Sequence, residues 1–257
     1  MDDINSDYMS IEEIKTPMLI YLEGNIACGK STIMQQYAKY VNVDIFCEPI
    51  ELWENFHGSN LLELRYINRK QFDFLFQTMV CFSRLEQMNK FHQNNSVKIM
   101  ERSLYSSFEV FVEHSKTVMD MDDLEYKMLK YMFEVSKKGA LDKMTRPDLI
   151  IYLKTDSDVC LSRMNNRNRT AEKTVPLDVI EGLHIAHENW LLNESKVPCP
   201  IIVLDGNLDK SEWNVQTSKI NKKILEIANI KRKKINSQED TLANSETPIT
   251  YNTTITI

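Results

Sequence analysis

Gly24-Asn25-Ile26-Ala27-Cys28-Gly29-Lys30-Ser31-Thr32 is a complete phosphate-binding loop of the form G-x-x-x-x-G-K-[ST]. The apolar run before it, Met18-Leu19-Ile20-Tyr21-Leu22, reads as a buried strand. The segment after it, through Ile33, Met34, Tyr37, Ala38 and Val41, repeats at helical spacing. Strand, loop and helix in that order are the context the pattern needs. Gly24 and Gly29 let the backbone curl so that several N–H groups point into one cavity, where the helix also presents its positive dipole end. Lys30 supplies a point charge for the outer phosphates, and the Ser31 hydroxyl can ligate Mg²⁺. The stretch predicts a site for a nucleoside triphosphate.

Working outward, five short apolar runs read as strands: 18–23, 43–47, 97–101, 148–154 and 200–205. Helical patterns separate them, so the expected fold class is α/β, a parallel sheet flanked by helices. A long insertion between the second and third strands carries a helix near 70–91 with Phe72, Leu75, Phe76, Met79, Phe82, Leu85 and Met88. A second amphipathic helix near 122–138 carries Leu124, Met128, Met132 and Val135. Such stripes are core or subunit-contact faces. The expected organisation is a mobile polar arm over 1–16, one domain over 17–234, and a disordered tail over 235–257 rich in Thr, Asn and Ser. The last helix, about 209–230, runs into Lys231-Arg232-Lys233-Lys234, cations favoured at a helix C-terminus.

Composition narrows the partners. A formal charge of −6 argues against nucleic acid as the main partner, though a local cluster of cations suffices for a small phosphorylated ligand. No apolar stretch approaches the ~20 residues that span a membrane. Five cysteines without C-x-x-C spacing suit a reducing compartment, and the acidic start Met1-Asp2-Asp3 is unlike a secretory or transit peptide. A cytoplasmic protein is expected. His184 and His187, beside Glu181 and Glu188, lack the H-E-x-x-H pattern and read as helix packing or a solvated face.

In an open parallel sheet, ligands bind outside the carboxyl ends of the strands. Glu48 follows the second strand, and Glu101-Arg102 follow the third, so two carboxylates and an arginine should face the phosphate loop. Phosphoryl transfer uses such a set: a base for the attacking hydroxyl, a metal ligand and a positive clamp on developing charge. Arg163, Arg167 and Arg169 follow the fourth strand, and Arg163 and Arg167 share a helix face. Beside a triphosphate they read as a mobile arginine lid over the γ-phosphate.

These residues resemble the deoxynucleoside kinase family over about 18–210. The resemblance is carried by GNIACGKST, EPIELW around Glu48 and Trp53, NLLELRY ending at Tyr66, and FQTMVCFSR from Phe76 to Arg84. It continues through IMERSLYSS, DLIIYLKT, RMNNRNRTAE, VPLDVIEGLHIAHENWL and IIVLDGNLD. The resemblance implies a P-loop kinase with a five-stranded parallel sheet, acting as a homodimer that moves the ATP γ-phosphate to the 5′-OH of a deoxynucleoside. It assigns Glu48 as the base for that hydroxyl, with Arg102 beside the oxygen, and gives Mg²⁺ to Ser31 and Glu101. Tyr66 and Glu172 would bind the sugar 3′-OH. Gln77 would read the base edge, with Trp53 and the neighbourhood of Phe108 walling the pocket. Asp205-Gly206-Asn207 would lie near the adenine.

Ser107 departs from the family: relatives that take cytosine or purines carry an aspartate there, and the broad-specificity insect enzyme an alanine. Arg84 nevertheless matches the arginine of the aspartate-bearing members. Arg84, Val80 and Ser107 are expected to line the far side of the base, with Ser107 leaving Arg84 less restrained and the specificity broad. The rival is a thymidylate-type nucleoside monophosphate kinase. Those enzymes follow Glu-Pro with Gly-Gly-Thr and place an aspartate in the loop, where this chain has Ile50-Glu51-Leu52 and Asn25-Ile26. A guanine-binding N-K-x-D motif is absent from the sequence.

Overall fold

The computed structural model describes residues 11, 14–90, 97–118, 121–167, 175–193, 196–208 and 212–243. Strand β1 (Met18–Glu23) leads through the phosphate loop into α1 (Lys30–Tyr37), then β2 (Val43–Phe46) and the insertion helices α2 (Ile50–Glu54), α3 (Leu61–Ile67) and α4 (Arg69–Asn89). After β3 (Val97–Glu101) come α5 (Leu104–Ser106), a π-helical segment (Ser107–Val112), α6 (Glu113–Val118), α7 (Asp123–Ser136) and α8 (Gly139–Thr145). The chain closes with β4 (Leu149–Lys154), α9 (Ser157–Arg167), α10 (Leu177–Leu191), β5 (Ile201–Asp205) and α11 (Trp213–Ala243).

The strands form one sheet in the order β2-β3-β1-β4-β5, and every pairing is parallel. The unbroken apolar runs of β1 and β4 follow from that: helices cover both faces, so no position alternates to solvent. Ile20, Tyr21, Leu22, Leu149, Ile150, Ile151 and Leu153 are inaccessible. The chain leaves β1 toward one edge, returns to β3, then crosses to β4 on the other side. Strand order therefore reverses at β1, and the crevice beyond its carboxyl end is where such sheets bind ligands.

Three boundaries differ from the periodic reading. Helix α1 stops at Tyr37, leaving Val41 88% exposed. The arm expected over 1–16 contributes Ile11 and Ile14 to the core, and the Asn42 amide donates to both their carbonyls. Two isoleucines bury more apolar surface than the polar residues around them suggest. Helix α11 continues past 234 to Ala243, because no Gly or Pro interrupts the chain between Trp213 and Ala243. Its cation Lys231 is consumed locally, donating to the Pro17 carbonyl and pairing with Asp148 at 2.8 Å. The rest of the expected tail, 244–257, lies outside the described residues.

Candidate active site

Gly24 has φ +145°, and a Cβ there would lie 2.7 Å from the Leu153 carbonyl and 2.8 Å from the Cys28 sulfur. The loop can leave β1 only because that position has no side chain. Gly29 and the non-glycine Ala27 also have positive φ, of 113° and 58°. The loop is braced from within: the Ile26 N–H donates to Asn25 Oδ1, and Asn25 Nδ2 donates to the Ile180 carbonyl of α10. Lys30 Nζ donates to the Gly24 and Asn25 carbonyls and lies 3.9 Å from Glu101 Oε1. Cys28 is buried, while Ser31 and Thr32 open the first turn of α1.

A cavity of about 720 Å³ opens beside the loop, a size that holds a small ligand. Its floor is Ile26, Ala27, Lys30 and Ser31; its acidic and cationic wall is Glu48, Glu101, Arg102 and Arg84. Helices α2 to α4 supply Trp53, Tyr66, Phe76, Gln77 and Val80. Trp53 packs edge-on against Phe76 and donates through its indole N–H to Ser83. Arg167 reaches the cavity from the end of α9.

Glu48 is the electrostatic centre. Its Oε1 accepts from Arg84 Nη2 at 2.7 Å and pairs with Arg102 Nε at 3.3 Å. Burial alone would raise its pKa; Arg102, Arg84 and Lys30 outweigh that and hold it at about 2. Arg102 occupies the left-handed region at φ +65°, with its N–H bonded to the Leu22 carbonyl. Such backbone persists only where its surroundings over-determine it. Its guanidinium carbon lies 4.7 Å from the Phe111 ring centroid, and Nη1 lies 3.4 Å from His187 Nε2.

Several expectations are corrected. Arg84 is not loosened by Ser107 but held by it: Nε donates to Ser107 Oγ, Nη1 to the Glu101 carbonyl and Nη2 to Glu48. A hydroxyl is long enough to accept from a guanidinium already drawn inward by Glu48. Ser107 thus lies behind Arg84 and does not line the cavity. Phe108 itself stacks on Phe133 and lines a small separate apolar cavity; Phe111, three residues on in the same π-helical segment, is the member of its neighbourhood that walls the site. Arg163 does not reach the cavity. It ties α9 down, donating to the Cys28 carbonyl at 3.1 Å and the Gly206 carbonyl at 2.7 Å. Asp205, Gly206 and Asn207 form a turn at the end of β5, closed by the Asn207 N–H on Asp205 Oδ1 and by Gln216. Arg169 and Glu172 lie outside the described residues.

Sequence reasoning did not name Phe111, read Phe76 only as part of a core or subunit-contact stripe and His187 as packing or a solvated face, and passed over Glu23. The first two carry no chemical signal beyond being aromatic at helical spacing. Glu23, inaccessible at the end of β1, accepts from Ser103 Oγ at 2.6 Å and has its carboxyl pushed up by burial, against the pull of Arg102.

A phosphate loop at the switch point of this sheet, facing two carboxylates and two arginines across one cavity, defines a P-loop phosphotransferase. Residues 20–229 match the family model described as deoxynucleoside kinase, and the chain belongs to that family. It is 32% identical to human mitochondrial thymidine kinase 2 over 198 residues, covering 76% of this chain and 73% of the relative. A probable deoxycytidine kinase of fowlpox virus is 32% identical over 199 residues, covering 76% and 82%. The mitochondrial deoxyguanosine kinase of Xenopus laevis is 27% identical over 253 residues, covering 86% and 93%. The monophosphate kinase alternative finds no support in these matches. Among the described residues no helix is long and apolar enough to cross a membrane.

Proposed function

We propose that this ATP-dependent deoxynucleoside kinase uses Glu48 to orient and deprotonate the substrate 5′-OH, with Arg102 and Arg84 balancing its charge. The observation that carries the reading is the Arg84–Glu48–Arg102 triad at the mouth of the phosphate loop. A carboxylate held at about 2 is ionised at any physiological pH but is a weak base. It takes the proton late, once the phosphoryl group has largely left its donor and the 5′ oxygen has become acidic, which suits a loose transition state. Arg102, released in part from Glu48 as that proton arrives, is then placed to stabilise charge on the transferring group. Lys30 and the loop N–H groups hold the phosphates of ATP, and Arg167 approaches them from α9. Arg169, on the expected lid, belongs to the same reading, with Glu172 and Tyr66 on the sugar 3′-OH.

Ser31 and Glu101 offer hard oxygen donors beside Lys30, a set that fits Mg²⁺. When bound, the ion would neutralise charge on the β- and γ-phosphates.

On the α4 side, Arg84 is committed to three acceptors, leaving Gln77 to read the base. The Gln77 amide donates to Asp73 and Ser115, so its carbonyl oxygen is the group left to accept from the base. Every base offers a donor on its pairing edge, and broad specificity follows. Leu75 and Phe82 share one exposed face of α4, and Leu124, Met128 and Tyr131 one exposed face of α7; the two helices touch, which supports a homodimer joined through them.

The test measures kcat and KM for the four deoxynucleosides and their monophosphates with wild type and Glu48→Gln. All four nucleosides should be phosphorylated and the monophosphates should not. In Glu48→Gln, kcat should fall by roughly 10²–10⁴ with nucleoside KM little changed. Near wild-type turnover in the variant would remove Glu48 from the chemistry.

A further inference from the structure

His187 lies at the third turn of α10 with no accessible surface. Its ring is parallel to Tyr152 (1° between planes, centroids 6.2 Å apart) and edge-on to Phe111. A phenylalanine would fill such a slot with no polar atom to satisfy, so the imidazole calls for a reason beyond packing. Both ring nitrogens have partners that fix the tautomer. Nδ1 lies 2.6 Å from the Leu183 carbonyl, an acceptor only, so Nδ1 carries the hydrogen. Nε2 is then a bare lone pair facing Arg102 Nη1, a donor only, at 3.4 Å. Burial, with the adjacent Arg102 charge, pushes the imidazole pKa well down and keeps it neutral, as an acceptor must be.

We propose that His187 is a positioning residue for catalysis, its neutral Nε2 holding the Arg102 guanidinium at the angle from which it meets Glu48 and the transferring phosphoryl group; this rests on the role given to Arg102 above. Arg102 is gripped on three sides: Glu48 at Nε, His187 at Nη1, and the Phe111 ring against its face. The first grip changes during turnover, because Glu48 loses its charge on taking a proton. The other two are constant. Of these, the ring gives a plane and the imidazole gives a direction within it.

Helix α10 extends the grip to the donor side. Ile180, whose carbonyl accepts from Asn25 of the phosphate loop, precedes His187 by two turns on the same helix face, about 10 Å along the axis. One rigid element therefore sets the loop that holds the phosphates against the arginine that meets the acceptor oxygen. Reactions of this kind lose about a hundredfold from an error of about 1 Å in such a setting.

Three substitutions separate positioning from packing. His187→Phe keeps the ring and removes the acceptor. His187→Asn places an amide at the Nδ1 position, keeping the Leu183 contact and taking from Arg102 Nη1 its acceptor, with the Glu48 and Phe111 contacts intact. His187→Gln reaches the Nε2 position and restores an acceptor. With thymidine or deoxycytidine and saturating ATP, Phe and Asn should lower kcat by about ten- to a hundredfold with nucleoside KM changed less than about threefold, and Gln should recover most of kcat. The same substitutions are then made in Arg102→Ala, with turnover read from radiolabelled nucleoside; there they should cost no more than about twofold, since the residue they act through is gone. Equal losses in Asn and Gln, or full additivity with Arg102→Ala, would overturn the proposal, and the Asn–Gln pair decides it should the Phe variant fail to fold. Wild-type kcat in Arg102→Ala alone would instead refute the role of Arg102 itself.

Discussion

Glu48 is readable at the residue scale because one carboxylate serves two arginines from different elements. Its folded pKa of about 2 lies below the ordinary value of 4.5, so its ion pairs stabilise the fold above the unfolded pKa. That contribution is complete at neutral pH and is lost as pH falls from about 4.5 toward 2. The melting temperature of wild type should decline across that window, and Glu48→Gln, which has no such group, should show a shallower decline there. Parallel curves for the two proteins would mean that the triad is not formed in the free enzyme. Legibility at this scale was uneven. Glu48 announced itself by following a strand and preceding a proline, whereas Arg84, 36 positions away, shows its partner only once α4 lies across the end of β2.

Elements fix how these side chains converge. The turn after β5 presses on β4 so closely that a Cβ on Gly206 would lie 1.8 Å from Thr155 Oγ1 and 3.0 Å from the Lys154 carbonyl. The Gly206 carbonyl also receives Arg163, which bonds at the same time to the phosphate loop. Gly206→Ala should therefore destabilise the protein by about 1–3 kcal/mol and raise the KM for ATP, leaving nucleoside KM unchanged. A wild-type melting temperature and ATP KM would show that this turn is not coupled to the loop. No residue pattern signals this coupling: Arg163 shares a helix face with Arg167, and spacing alone cannot tell a strut from a lid.

At the scale of the whole molecule, the exposed apolar faces of α4 and α7 are the feature a lone monomer accounts for least. Leu124 is 75% and Tyr131 67% exposed, one above the other on α7, and Phe82 on α4 is 58% exposed. Burying such side chains contributes about 1.5–3 kcal/mol each. A Leu124→Glu, Tyr131→Glu double variant should halve the mass measured by sedimentation velocity at micromolar concentration, with the monomer still folded by circular dichroism. A wild-type protein that already sediments as a monomer would leave these helices free for another role.

What the sequence by itself determined was local in origin. The phosphate loop is one contiguous segment whose glycines, lysine and hydroxyl act on the same ligand, and the switch from an apolar run to helical spacing around it marks strand and helix within ~20 residues. The five strands and the parallel class follow likewise from unbroken apolar runs separated by helices. Only the tertiary structure decided the strand order β2-β3-β1-β4-β5, which sets Glu48, Glu101 and Arg102 on one side of Gly24 and the β5 turn on the other. It also joined Arg84, which lines the cavity as expected, to Glu48, drew Ser107 behind it, and brought His187 to Arg102 from 85 positions away. The physical reason is the same in each case. A buried charge takes the nearest partner that satisfies it, and which partner is nearest depends on how the helices pack across the sheet.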